Sequence, residues 1–185
     1  MRKQLLEIFP EIDWIKDEKI KSAVIDCHKY VITKSGWTLE DYDKMPFIKS
    51  FEGCPVSCLH HNRVVTRMCK MMLEEYNAAY RGNGDYQLDH DTVIAGAILH
   101  DIGKFLEWRK VEGGPSEKSE QGRLLRHPVS GAVVAAMHGL PDEVVHCIFA
   151  HSTEGNTVKR TPEAVLICKV DELNFDCIRS SMGKL

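Results

Sequence analysis

Three prolines, Pro128, Pro141 and Pro162, each head a run whose apolar residues recur at helical spacing, and no stretch of the chain sustains an apolar-polar alternation. Proline suits the first position of a helix, where its missing N–H costs nothing, and helical periodicity without a period of two leaves few alternatives to a helical fold. The flanking residues agree. Thr161 can cap the last of these helices, Asp142 and Glu143 suit the positive start of the middle one, and Gly139 closes the first. Upstream, Ile20, Ala23, Val24, Cys27, Tyr30 and Val31 form one stripe ending at Gly36. After a mixed stretch with Trp37, Pro46, Gly53 and Pro55, Val65, Met68, Met72 and Tyr76 form a second, which Gly82 and Gly84 break. Asp89 or Asp91 can cap a third, carrying Val93, Ile94, Ala97 and Ile98. The sequence predicts an all-α chain folded as one compact helical bundle, with residues 112–121 (EGGPSEKSEQ) as its one long polar loop.

A length of 185 residues suits a single domain. With 24 basic against 27 acidic residues, the formal charge of -3 is a poor footprint for a sequence-independent nucleic-acid binder, so nucleic acid is not the expected partner. The run from Val93 to Leu99 is far shorter than the roughly 20 residues needed to cross a membrane, and the first residues lack a signal-peptide core. Seven cysteines, an odd number dispersed on apolar faces, read as reduced thiols of a cytoplasmic protein. Cys54 and Cys58, followed by His60 and His61, have no second cluster to complete a structural zinc site, so this stretch reads as a loop leading into a helix.

Polar residues on the apolar faces carry the functional signal. His100 and Asp101 follow Ala97 on its side of the helix, His151 follows Cys147 and Ile148, and Asp171 follows Ile167 and Cys168. His61 shares the stripe of Val65 and Met68, and His127 stands at a helix start just before Pro128. An imidazole or carboxylate on a buried face must be paired or metal-bound. Four histidines and two aspartates on separate faces are best reconciled by one centre that gathers them on divalent metal. The remaining histidines, His28, His60, His90, His138 and His146, lack this placement and are expected at the surface or behind the ligands. Mixed nitrogen and carboxylate ligands suit Mn, Fe, Co, Ni or Zn. Asp101, adjacent to a ligating histidine, can bridge two ions, and two ions roughly 3.5–4 Å apart can clamp both oxygens of a phosphoryl displacement.

The pattern His61, His100-Asp101 and Asp171 resembles the H...HD...D signature of the HD superfamily of metal-dependent phosphohydrolases. The string LHDIGK (99–104) is its strongest element. HPVSGA (127–132), LPDEVVHCIFAH (140–151) and TPEAVLICKVDEL (161–173) are similar in order and spacing to the HD domain of the ribonuclease Y type. The resemblance covers about residues 58–175 and implies one compact HD domain of 185 residues, with 1–57 as a helical extension of a 58–175 core. It implies that His61, His100, Asp101 and Asp171 hold one metal and that His127 and His151 mark a two-metal site. Lys104 is implied as a contact to a substrate phosphate, with Arg123 and Arg126 as further candidates. His60 is the alternative first histidine; choosing it would bury Arg67, so His61 is preferred. Ser152 stands where many relatives carry a second histidine and no GYP-type motif follows, so cyclic-di-GMP hydrolysis is not expected. Asn174 stands where the ribonuclease Y type has a serine, and no RNA-binding module is apparent.

These features lead to an expected hydrolase that cleaves a phosphate ester of a small molecule or nucleotide through a metal-activated hydroxide, with Asp101 and Lys104 as its catalytic residues. Two other readings remain open: an HD-type di-iron oxygenase, which uses a similar ligand set, and a non-catalytic nucleotide-binding domain. Homodimer formation is compatible with all three. Specificity is expected to reside in residues 1–57 and 107–126.

Overall fold

The structure is a computed structural model that describes residues 1–45, 47, 54–111 and 114–184. It is built of helices around one buried rod. The elements run α1 (Arg2–Ile8), a 3-10 turn (Pro10–Trp14), α2 (Glu18–Ser35), α3 (Leu39–Tyr42), α4 (Cys58–Ala79) and α5 (His90–Leu99). There follow α6 (Lys104–Glu107), β1 (Trp108–Val111), β2 (Gly114–Lys118), α7 (Glu120–Leu124), α8 (His127–Met137), α9 (Asp142–Ala150) and α10 (Pro162–Ser181).

The boundaries follow local chemistry. Asp17 caps α2 by accepting from the N–H groups of Lys19 and Ile20, and Gly36 ends the helix in a left-handed conformation (φ 74°) that other residues adopt at a cost. Ser57, Asp89 and Thr161 cap α4, α5 and α10 in the same way. Thr92 to Leu99 are all buried, as expected of a helix that is apolar all round, and α2, α4, α9 and α10 surround it. Gly96 allows this packing: a Cβ there would lie 2.8 Å from Ile167 Cδ1 and 2.9 Å from Cys147 Cβ. The N-terminal segment belongs to the same core, with Leu5, Phe9, Ile12 and Ile15 buried among residues of α2, α5 and α8.

Three expectations are corrected. The stretch 112–121 is not a loop: its later residues form β2, which pairs antiparallel with β1 in the register Trp108↔Lys118, Arg109↔Glu117, and then enter α7. Strands this short, with mostly exposed side chains on β1, have no face to bury and so leave no alternation to read. His28 lies neither at the surface nor behind a ligand: it is fully buried, beside Phe9 and Tyr42. Met72 is exposed, because the buried stripe of α4 runs instead through Val65, Cys69 and Leu73. Pro46, Gly53, Glu112 and Gly113 lie outside the described residues.

No helix among the described residues is long and apolar enough to cross a membrane. The seven cysteines are all free, and no described cluster joins Cys54 or Cys58 to His60; Cys58 simply opens α4.

Candidate metal centre

Five elements meet at one end of α5. His100 occupies its C-cap position and Asp101 follows; His61 comes from the first turn of α4, His127 from the start of α8, His151 from the C-cap of α9 and Asp171 from the middle of α10. His61, His100, Asp101 and His151 are buried. His60, the alternative first histidine, is exposed on the other side of α4.

The donor atoms fall into two groups that share Asp101: His61, His100 and Asp101 in one, and Asp101, His127 and His151 in the other, each with its atoms within 4.8 Å of one another. Asp101 Oδ2 lies 3.5 Å from His100 Nε2 and 3.7 Å from His61 Nε2, whereas Oδ1 lies 3.3 Å from His127 Nε2 and 3.9 Å from His151 Nε2. One carboxylate thus turns an oxygen toward each half. Asp171 Oδ1 joins the first half, 3.0 Å from His61 Nε2 and 3.8 Å from His100 Nε2.

All four imidazoles are oriented from behind. His100 Nδ1 donates to Ala97 O and His151 Nδ1 to Ile148 O, both at 2.7 Å, using carbonyls that helix ends leave unpaired. His61 Nδ1 meets Asn174 Oδ1 at 2.8 Å, and His127 Nδ1 meets Glu107 Oε2 at 2.8 Å. Each acceptor places the proton on Nδ1 and leaves the Nε2 lone pair facing inward. Burial also lowers the His100 and His127 imidazoles and brings His151 down to about 4, so these rings are neutral at neutral pH.

His61 Nε2 and His100 Nε2 face each other at 3.3 Å, with carboxylate oxygens on both sides. Such a convergence of lone pairs in a buried site is repulsive without a cation, and the mixture of imidazole and carboxylate fits a divalent transition metal. Burial alone would raise the carboxyls, yet Lys104 and the surrounding imidazoles hold Asp101 well below the usual range. His61 and His100 bring Asp171 to about 2.

A pocket of about 530 Å³ opens over the cluster. Its floor is Asp101 and its histidine partners; Phe47, Trp108 and Phe175 supply apolar walls, and Lys104, Lys118 and Arg126 supply cations. Phe47 stacks on His61 with 4.4 Å between ring centres. Lys104 Nζ lies 2.6 Å from Asp101 Oδ2 and donates to Phe47 O. Arg126 is held by Glu154 at 2.8 Å, and Arg123 is exposed on α7, away from the pocket.

Sequence reasoning had not singled out Glu107, Phe47, Trp108 or Lys118, and it read Asn174 only as a departure. Asn174 had a signal: it lies three residues after Asp171 on the same face of α10. Glu107 sits three residues after Lys104 on a one-turn helix that the sequence did not reveal.

Fold and site together define a helical protein with a buried His/Asp centre suited to divalent cations. The chain belongs to the HD-domain family, whose model matches residues 59–176. It is similar to ribonuclease Y of Pseudothermotoga lettingae (31% identical over 116 residues, 63% of this chain and 18% of the relative). Similar too are the ribonucleases Y of Acidothermus cellulolyticus (34% over 105 residues, 57% and 18%) and Salinispora tropica (36% over 97 residues, 52% and 14%). The chain thus matches less than a fifth of the length of these relatives. No solved structure matches it significantly.

Proposed function

We propose that this chain is a binuclear metal-dependent phosphohydrolase acting on a phosphate ester of nucleotide size. The observation that carries the reading is Asp101, whose two oxygens address two separate histidine pairs. His61, His100, Asp101 and Asp171 would hold one ion, and Asp101, His127 and His151 the other. Bound divalent cations supply an acidified water and the positive charge that a phosphoryl displacement needs.

The chain's own residues do the rest. Lys104, anchored on Asp101 and the Phe47 carbonyl, presents an ammonium at the pocket floor, where a phosphate would lie. Arg126 faces the same space at its rim, whereas Arg123 is exposed on α7 and does not line the pocket. Phe47, Trp108 and Phe175 give the ester's organic part an apolar wall and thin the water around the phosphorus. The pocket volume lies within the roughly 300–1,000 Å³ common for small-molecule sites. Seven free thiols, five of them buried, support a reducing, cytoplasmic setting.

RNA is the second reading, because the relatives are ribonucleases Y and a terminal nucleotide of an RNA chain would enter the same pocket. Metal analysis of the purified protein, joined to turnover on mononucleotides, other phosphate esters and short RNA, separates these cases. The expected result is about two metals per chain and phosphate release that Lys104→Ala lowers at least about 10-fold. Full turnover after complete chelation, or iron-dependent oxygen uptake without phosphate release, would overturn the proposal.

A further inference from the structure

We infer that Glu107 is a positioning residue that couples the β1-β2 hairpin to the His127 half of the metal centre, so that loading that half and ordering the hairpin favour each other. This rests on the binuclear reading above. One Glu107 oxygen, Oε2, accepts from both the backbone N–H and Nδ1 of His127, each at 2.8 Å. Its other oxygen, Oε1, lies 3.2 Å from Lys118 Nζ at the end of β2. The residue is buried.

The backbone of Glu107 closes the hairpin as well. Its carbonyl accepts from Ser119 N–H at 2.9 Å, and Ser119 Oγ donates to Leu106 O. Gly122 presses so close that a Cβ there would lie 2.1 Å from the Glu107 carbonyl oxygen. Trp108, next in the chain, and Lys118, its partner across the hairpin, both wall the pocket. The base of the hairpin, through its backbone, and the orientation of His127, through its carboxylate, are therefore both held by Glu107.

A carboxylate behind a ligating imidazole raises its basicity and holds its ring in place, and losing one typically weakens metal binding about 10- to 100-fold. By linkage, whatever strengthens His127 as a ligand when the hairpin is closed must favour the closed hairpin when metal is bound. The Glu107 carboxylate bonds His127 and Lys118, and neither His61, His100 nor Asp171 shares a hydrogen bond or ion pair with it among the described residues, so the first half should not respond.

The test is titration with Mn²⁺ followed by calorimetry, with hydrogen exchange of the amides of β1 and β2 as a second readout. In the unaltered chain two equivalents should bind, and exchange in the hairpin should slow on the second. Glu107→Gln should keep the first equivalent unchanged, weaken the second about 10- to 100-fold and remove the exchange response. Lys118→Met, at a half-exposed side chain, should keep both equivalents but remove most of the exchange response. If Glu107→Gln binds the second equivalent as tightly as the unaltered chain, or Lys118→Met leaves the exchange response intact, the coupling is refuted while the binuclear reading stands. Fewer than two equivalents on the unaltered chain would take both down.

Discussion

The buried imidazole of His28 destabilises the fold in acid. Its Nδ1 bonds the Val24 carbonyl at 2.9 Å, but Nε2 is buried with no partner among the described residues, and burial pushes the group down to about 4. The unfolded chain, with a histidine near 6.5, binds the proton first, so stability is full above about pH 6.5 and is lost as pH falls toward 4. Over that window the loss is about 3 kcal/mol. His28→Phe should flatten it, seen as a shallower fall of unfolding free energy between pH 7 and 4.5 in denaturant titrations; an unchanged slope would remove His28 from the account. The sequence set His28 apart from His61 and His151 as a surface or supporting residue, yet all three are buried. What distinguishes them is whether other lone pairs converge on the ring, and that is a fact of tertiary structure. The convergence of His61, His100, Asp101, His127, His151 and Asp171 is the legible part, because a carboxylate or imidazole on an apolar face needs a reason. Asp101→Asn should cut bound Mn²⁺ from about two equivalents to at most one and lower turnover more than about 100-fold, as read by metal analysis and phosphate release.

At the scale of elements, the helices headed by proline were legible to within a residue, with α8, α9 and α10 beginning at His127, Asp142 and Pro162. The one-turn helices α3 and α6 and the hairpin were not, since a segment of four or five residues shows no period. The turn from α5 to α6 explains the glycine of the HDIGK string. A Cβ at Gly103 would lie 2.1 Å from the His127 carbonyl oxygen and 2.6 Å from Ser130 Oγ, so α8 can approach only a glycine. Gly103→Ala should force α8 outward at about 1–3 kcal/mol, lowering the melting temperature by roughly 3–10 °C, and should weaken the His127 half of the metal centre more than the His61 half. Equal loss in both halves on Mn²⁺ titration would contradict that placement.

For the whole molecule, the division into a 1–57 extension and a 58–175 core does not describe how the protein is held together. Leu5, Phe9, Ile12 and Ile15 are buried in the main core, at about 1.5–3 kcal/mol each, a sum comparable with the entire stability of a typical domain. A fragment beginning at residue 58 should therefore lack a cooperative thermal transition by circular dichroism; a sharp one would mean that the family segment folds alone. Removing metal should act on the same scale, because a ligand at 100 times its dissociation constant adds about 2.7 kcal/mol, or roughly 5–10 °C, which a chelator should take away.

The histidine on α4 and the asparagine that orients it stand 113 positions apart, with the other ligands spaced between them. Cations bound there would work as clasps on the chain, fastening distant segments much as disulfides do in proteins that live outside a reducing environment. A cell short of metal would then hold copies that are both idle and open to proteases, and the quantity of this protein would follow the metal supply.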